Sequence, residues 1–159
     1  AARAVIEGFG ESGCRVTIFA REFEKAKRVA EQFKCAAAPW PQRGRRPGDI
    51  LINTTPIGMW PDVNASPLDG ANQNRSTQEA AQSAIDSRQS TIPYRLVFDL
   101  VYRPLETQLL RDARAAGCQT LNGLDMFIRQ AAVQFELWTG RRPGLRGVAE
   151  LLSLESGSR

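Results

Sequence analysis

The chain has 159 residues, 42% of them apolar and 24% charged, which suits one domain with a core of its own. No apolar run is long enough to span a bilayer as a helix, no signal-peptide pattern opens the sequence, and histidine is absent, which excludes His-based triads, His metal ligands and His general acids. The net charge of +4, carried largely by arginine, suits anionic ligands such as phosphates, and also nucleic acid.

Ala1, Ala2, Ala4 and Val5 read as a helix already under way over residues 1–12, with no capping residue before it. "CRVTIFA" (14–20) reads as a strand and "EFEKAKRVAEQF" (22–33) as an amphipathic helix burying Phe23, Ala26, Ala30 and Phe33. "RGRR" (Arg43, Arg45, Arg46) lies between Pro41 and Pro47. It reads as a solvated loop rather than a nucleic-acid patch, since no aromatic residues interleave it. "DILINTT" and "RLVFDLVY" (95–102) read as buried strands. Between Asp69 and Ile92 lies a polar insertion, 69–92, with room for a surface helix around 76–88. "PLETQLLRDARAAG" (104–117) reads as a helix with Leu105, Leu109, Leu110 and Ala113 inward. "QTLNG" reads as a short strand or loop, "LDMFIRQAAVQFELWTG" (124–140) as a long helix ended by Gly140, and 144–154 as a last helix. Cys14, Cys35 and Cys118 match neither a zinc site nor a disulfide framework and read as reduced core thiols in a cytoplasmic protein.

Strands alternating with helices predict an α/β fold, a parallel sheet with helices on both faces. Strand 14–20 follows a helix that starts at residue 1, so it reads as the second strand of a βαβ unit whose first strand is missing. Ligands in such sheets bind at the carboxyl ends of the strands. Three ends are readable. Arg21, with Lys25 four residues on, stands where an arginine accommodates a ribose 2′-phosphate, or is a surface residue at a helix start. Asn53, Thr54 and Thr55 orient a ligand without titrating, or close the strand in a hydrogen-bonded turn. Asp99 and Tyr102 are a satisfied buried carboxylate and a rim tyrosine, or part of a site. On the long helix Met126, Gln130, Val133 and Leu137 form one stripe, beside Phe127, Ala131, Phe135 and Trp138. Gln130 on that apolar face would need a partner.

Together, "NTTPIGMWPDVNASPL", "FDLVYRPLETQLLRDARAAGC" and "LNGLDMFIRQAAVQFELWTG" resemble the C-terminal, cofactor-binding domain of the shikimate dehydrogenase family in order and spacing across nearly the whole chain, the insertion apart. The third stretch is most similar to proteins in which this dehydrogenase follows a dehydroquinate dehydratase. The resemblance implies a Rossmann-like domain over 1–159, with a glycine-rich phosphate turn before Ala1 of which only the end, Ala1 onward, is present. It implies NADP as cofactor, with Ala20, Arg21 and Lys25 matching the family's 2′-phosphate cluster. Glu22 departs from that cluster's usual pattern and sets a carboxylate beside it. Asn53, Thr54 and Thr55 would orient the dinucleotide, Leu100 would flank the nicotinamide, and the Gly123 carbonyl would meet its carboxamide. Tyr102 and Gln130 would face the substrate, shikimate or 3-dehydroshikimate. The family's catalytic Lys–Asp pair and most of its substrate cradle belong to an N-terminal domain with no match here, so no catalytic or metal-binding residue is expected in this chain. Neither a nucleic acid nor a membrane is an expected partner. The alternatives are an NAD-dependent quinate/shikimate dehydrogenase and, in another class, an arginine-rich nucleic-acid-binding module.

Overall fold

The computed structural model describes residues 1–70 and 92–144. The elements alternate as α1 (Ala2–Glu11), β1 (Thr17–Ala20), α2 (Phe23–Gln32), β2 (Ala36–Pro39), a 3-10 turn at Trp40–Gln42, β3 (Gly48–Asn53), β4 (Tyr94–Asp99), α3 (Gln108–Ala115), β5 (Gln119–Leu121) and α4 (Gly123–Thr139). Every strand pair is parallel, as the alternation predicts.

The strands form two sheets. β1 pairs with β2, and β3, β4 and β5 form the other in that order, with β4 central. No ladder joins β1 to β3, so each keeps one unpaired edge among the described residues. Ile50 on β3 is correspondingly 39% exposed. The main core lies where α3 covers β4: Val97, Leu109 and Ala113 are fully buried, with Leu110, Ile92 and Tyr94 around them. Each of the two leucines contributes about 2–3 kcal/mol by burial.

Four expectations from the sequence are corrected. α3 begins at Gln108, not Pro104, because Thr107 is its N-cap: the Thr107 hydroxyl accepts from Leu110 N at 3.3 Å. Leu105 therefore precedes the helix and is exposed. On α4 the buried residues are Gly123, Ile128 and Ala132, while Val133, Phe135, Leu137 and Trp138 are open to solvent. Gln130 is exposed too, so its amide needs no protein partner. Finally, Arg43 is not a solvated loop residue. It is 7% exposed, stacked on the Trp40 ring at 4.2 Å, and its guanidinium donates to the carbonyls of Trp40, Pro67 and Asp69. Tyr94 donates its hydroxyl to the Arg43 carbonyl at 2.7 Å. Arg43 thus clamps the 40–46 loop to the 66–69 loop, and only Arg45 and Arg46 of "RGRR" remain exposed. Arg43→Ala is expected to cost about 2–3 kcal/mol in urea unfolding. Arg43→Lys should recover little of that, because an ammonium cannot reproduce the fork.

β2 is an element the residue pattern does not announce. Alanine is depleted in strands and Pro39 lacks a donor. It forms because β1 offers a ladder, pairing Thr17 with Ala36 through Ala20 with Pro39. The surface helix expected near 76–88 and the last helix expected near 144–154 lie outside the described residues, apart from Gly144 itself.

Candidate functional site

The carboxyl ends of β3 and β4 are fused by one hydrogen-bond network. Asn53 and Asp99 are register partners, and Leu100 N continues the ladder to the Asn53 carbonyl at 3.0 Å. Asp99 is fully buried, and no cation among the described residues acts on it. One of its oxygens accepts from Asn53 Nδ2 at 2.9 Å and Val101 N at 3.0 Å; the other accepts from the Thr107 hydroxyl at 2.7 Å. Burial pushes its carboxyl above the usual range, against the pull of these three donors. Of the two readings left open for this aspartate, the satisfied buried carboxylate is the one the structure shows.

Asn53 is spent in the same way. Its Nδ2 also donates to the Ile57 carbonyl at 3.2 Å, and its Oδ1 accepts from Thr55 N at 3.0 Å and the Thr55 hydroxyl at 2.7 Å. Ile57 N in turn donates to the Thr55 hydroxyl at 3.3 Å. This closes the strand in an Asx turn and fixes the entry to the loop that follows, which runs through Gly58, Pro61 and Pro67. Thr54, half-buried between them, makes no hydrogen bond through its hydroxyl among the described residues and is the free polar group at this tip.

α4 is seated on the same end of the sheet. Asn122 caps it, accepting from Leu124 N at 3.1 Å, and Gly123 N donates to the Val101 carbonyl at 3.2 Å. A Cβ on Gly123 would lie 2.2 Å from the Leu100 carbonyl oxygen, so only glycine permits this approach. Leu100 is 8% exposed at the mouth. The exposed Tyr102 ring stacks on Phe127 with centroids 4.7 Å apart. Gln130 lies three residues beyond Phe127 and so on the neighbouring turn of the same helix. Asn53, Thr54, Thr55, Leu100, Tyr102 and Gly123 therefore lie at the β3–β4–α4 junction, with Gln130 exposed about two helical turns along α4 from Gly123.

Ala20, Arg21 and Lys25 form a second group at the end of β1 and the first turn of α2. Arg21 is exposed and makes no hydrogen bond or ion pair among the described residues. Lys25 is paired with Glu22 at 2.8 Å. Ala1 caps α1 through its carbonyl, which accepts from Val5 N at 3.1 Å. No hydrogen bond or ion pair among the described residues links the β1 group to the β3–β4 group.

Residue patterns missed Thr107, which a Thr standing before the apolar run of α3 could have signalled, and the engagement of Lys25 by Glu22. The titratable groups at the β3–β4 tips are the buried, fully hydrogen-bonded Asp99 and the phenol of Tyr102. No group of three or more His, Cys, Asp or Glu side chains among the described residues could hold a metal ion, and no helix among them is long and apolar enough to cross a membrane.

Residues 123–152 match the family model for the shikimate 5'-dehydrogenase C-terminal domain. The chain is 39% identical over 143 residues to a shikimate dehydrogenase (NADP(+)) from Oleidesulfovibrio alaskensis, covering 89% of this chain and 46% of that protein. It superposes with a TM-score of 0.71, at 32% identity, on shikimate 5-dehydrogenase from Thermus thermophilus in complex with NADP(H) and shikimate, covering 92% of this chain and 48% of that one. The TM-score is 0.72, at 27% identity, with quinate dehydrogenase from Corynebacterium glutamicum in complex with NAD, over 95% of this chain and 51% of that one. The chain spans about half the length of the relatives it matches. The chain has a Rossmann-like parallel α/β fold and belongs to the shikimate dehydrogenase family, where it corresponds to the C-terminal domain.

Proposed function

We propose that this chain is the NADP-binding half of an oxidoreductase that interconverts 3-dehydroshikimate and shikimate, a step of aromatic amino-acid biosynthesis, with the other half supplied by an N-terminal substrate domain. The observation that carries the reading is the donor set along the strand tips. Cations stand at the end of β1, uncharged hydroxyls at the end of β3, and a buried leucine at the end of β4. That order suits a phosphorylated adenosine ribose, the middle of a dinucleotide, and a nicotinamide face. The Thermus relative bound to NADP(H) and shikimate supports it.

In this reading Arg21 and Lys25 hold the 2′-phosphate, with Ala20 leaving room beside them. Ala1 ends the phosphate turn, whose glycines and preceding strand would come from upstream. The unpaired edges of β1 and β3 are where that strand would fit. Thr54 offers its hydroxyl to the dinucleotide, while Asn53 and Thr55 act by shaping the turn that carries it. Leu100 keeps water from the nicotinamide, which when bound would accept or deliver a hydride. The Gly123 carbonyl orients the carboxamide, and Tyr102 and Gln130 present a hydroxyl and an amide to the substrate's carboxylate and ring hydroxyls.

A second reading, an NAD-dependent quinate/shikimate dehydrogenase, is favoured by one observation: the Glu22 carboxylate beside Arg21 and Lys25. The quinate dehydrogenase likeness is in keeping with it.

The 159-residue chain alone is expected to show no turnover with shikimate and NADP; a rate like that of a complete enzyme would overturn the proposed division of labour. In the full-length polypeptide, Arg21→Ala should raise the KM for NADP by about tenfold or more and move that for NAD little, since a charged contact to phosphate is lost. Equal effects on both cofactors would favour the NAD reading.

A further inference from the structure

Tyr102 stands beyond the last residue of β4, its side chain is 43% exposed, and its hydroxyl has no hydrogen-bond partner among the described residues. The backbone just before it is fixed: Val101 N donates to an Asp99 carboxylate oxygen at 3.0 Å, and the Val101 carbonyl accepts from Gly123 N at 3.2 Å. Those bonds do not fix the side chain, which can still turn about two torsions. What it meets is the Phe127 ring, with centroids 4.7 Å apart and planes 20° apart. Phe127 lies four residues beyond Gly123, so it shares the helix face that rests on the exit of β4. Gln130 follows three residues on, a neighbour on the helix surface. The Phe127 ring is half-buried, whereas Phe135 and Trp138 farther along the helix are exposed. Phe127 thus links the seat of α4 to a phenol that nothing else described here aims.

Resting on the reading of Tyr102 as a substrate-facing group, we propose that Phe127 is the positioning residue for the Tyr102 phenol: its stacked ring sets the direction in which the hydroxyl meets a hydroxylated cyclic acid. Without that ring several staggered positions are open to an exposed tyrosine. The substrate must then select one of them, and its apparent affinity falls by the fraction of chains already in it. The chemical step belongs to other groups. Losing the stack therefore weakens substrate binding in the ground and transition states alike, which raises KM and leaves kcat.

The test is steady-state kinetics on the natural full-length polypeptide with shikimate and NADP. Phe127→Leu keeps an apolar side chain on the seat of α4 but removes the ring. It is expected to raise the KM for shikimate about fivefold, the scale of one aromatic pair, with kcat and the KM for NADP each within about twofold of the parent. Phe127→Tyr restores a ring and should return the shikimate KM to near the parent's. In a Tyr102→Ala background, Phe127→Leu should add nothing, because the residue through which it acts is gone. A merely structural role would loosen α4 from Leu100, raise the NADP KM as well, and persist in that background; either result overturns the proposal. So does a shikimate KM in Phe127→Leu equal to the parent's, provided Tyr102→Ala raises it, and the reading of Tyr102 then stands. If Tyr102→Ala itself leaves the shikimate KM unchanged, that reading and the proposal fall together.

Discussion

Gly123→Ala is expected to destabilise the fold by about 2–4 kcal/mol, although alanine is the better helix former by roughly 1 kcal/mol. The added methyl would meet backbone, not a side chain that can swing away. Its nearest neighbours would be the Leu100 carbonyl oxygen at 2.2 Å, the Leu100 carbonyl carbon at 2.5 Å and the Val101 oxygen at 2.9 Å. Relief requires α4 to lift from the exit of β4, which sacrifices the Gly123 N–Val101 O bond, worth about 1 kcal/mol. Gly8 in α1 supplies the control, because a Cβ there meets nothing within 4 Å. Gly8→Ala should stabilise by about 0.5–1 kcal/mol in the same urea titrations. Opposite signs for two Gly→Ala changes, both within helices, are the expected result. Two stabilising changes would mean that α4 does not sit against β4 as described. Leu100, proposed to flank the nicotinamide, is one of the residues displaced, so the variant should also lose NADP affinity.

The parallel α/β architecture was legible because β3 and β4 are long and apolar, and because α2 and α3 bury one face each. Amphipathic helices and core strands advertise themselves through the periodicity of single residues. The boundaries were legible where a side chain marks them: Gly140 ends α4 in a left-handed turn, with φ 68°. They were not where two signals compete. Pro104 imitates a helix start, while Thr107, three residues on, makes the cap. β2 stayed hidden because "AAAP" has no strand propensity and exists only through its neighbour.

The site divides along the same line. Arg21, Thr54, Tyr102 and Gln130 could be singled out as candidates because they stand at strand ends or on a helix face, whereas Leu100 and Gly123 could be named only through the family resemblance. Their partners could not be. That Asn53 would turn inward to Asp99, that Thr107 would close the network from eight residues away, and that Arg43 would leave an apparently solvated run for a cage of carbonyls are all tertiary facts. No local pattern separates Arg43 from Arg45. What separates them is the position of Trp40 and of the carbonyls of Pro67 and Asp69, 24 and 26 residues on.

Asp99→Ala should be among the most destabilising single changes available, at about 3–5 kcal/mol, because it strips partners from the Val101 amide and the Thr107 hydroxyl in a fully buried site and loosens Asn53 as well. Asp99→Asn keeps the shape but turns one acceptor into a donor facing Thr107 or Asn53, and should cost about half as much. The two strand tips would then be held less firmly, so NADP affinity should fall in Asp99→Asn even at temperatures where the fold is intact. Titration supplies a second signature. Burial raises the Asp99 carboxyl above its unfolded value near 3.9. Between the two values the folded chain keeps a proton that the unfolded chain has lost, so this group's contribution to stability is full below the unfolded value and is lost as pH rises through the folded one. Urea melts from about pH 4 upward should therefore show the parent's advantage over Asp99→Asn narrowing with rising pH. An advantage that widens would place the folded carboxyl below its unfolded value and make the three donors, not burial, the stronger influence. Exchanging the pair, Asn53→Asp with Asp99→Asn, restores the Asn–Asp bond but moves the charge to the tip of β3. It should recover part of the stability lost in Asp99→Asn but not the Thr107 contact, leaving the start of α3 frayed in amide exchange at Leu110.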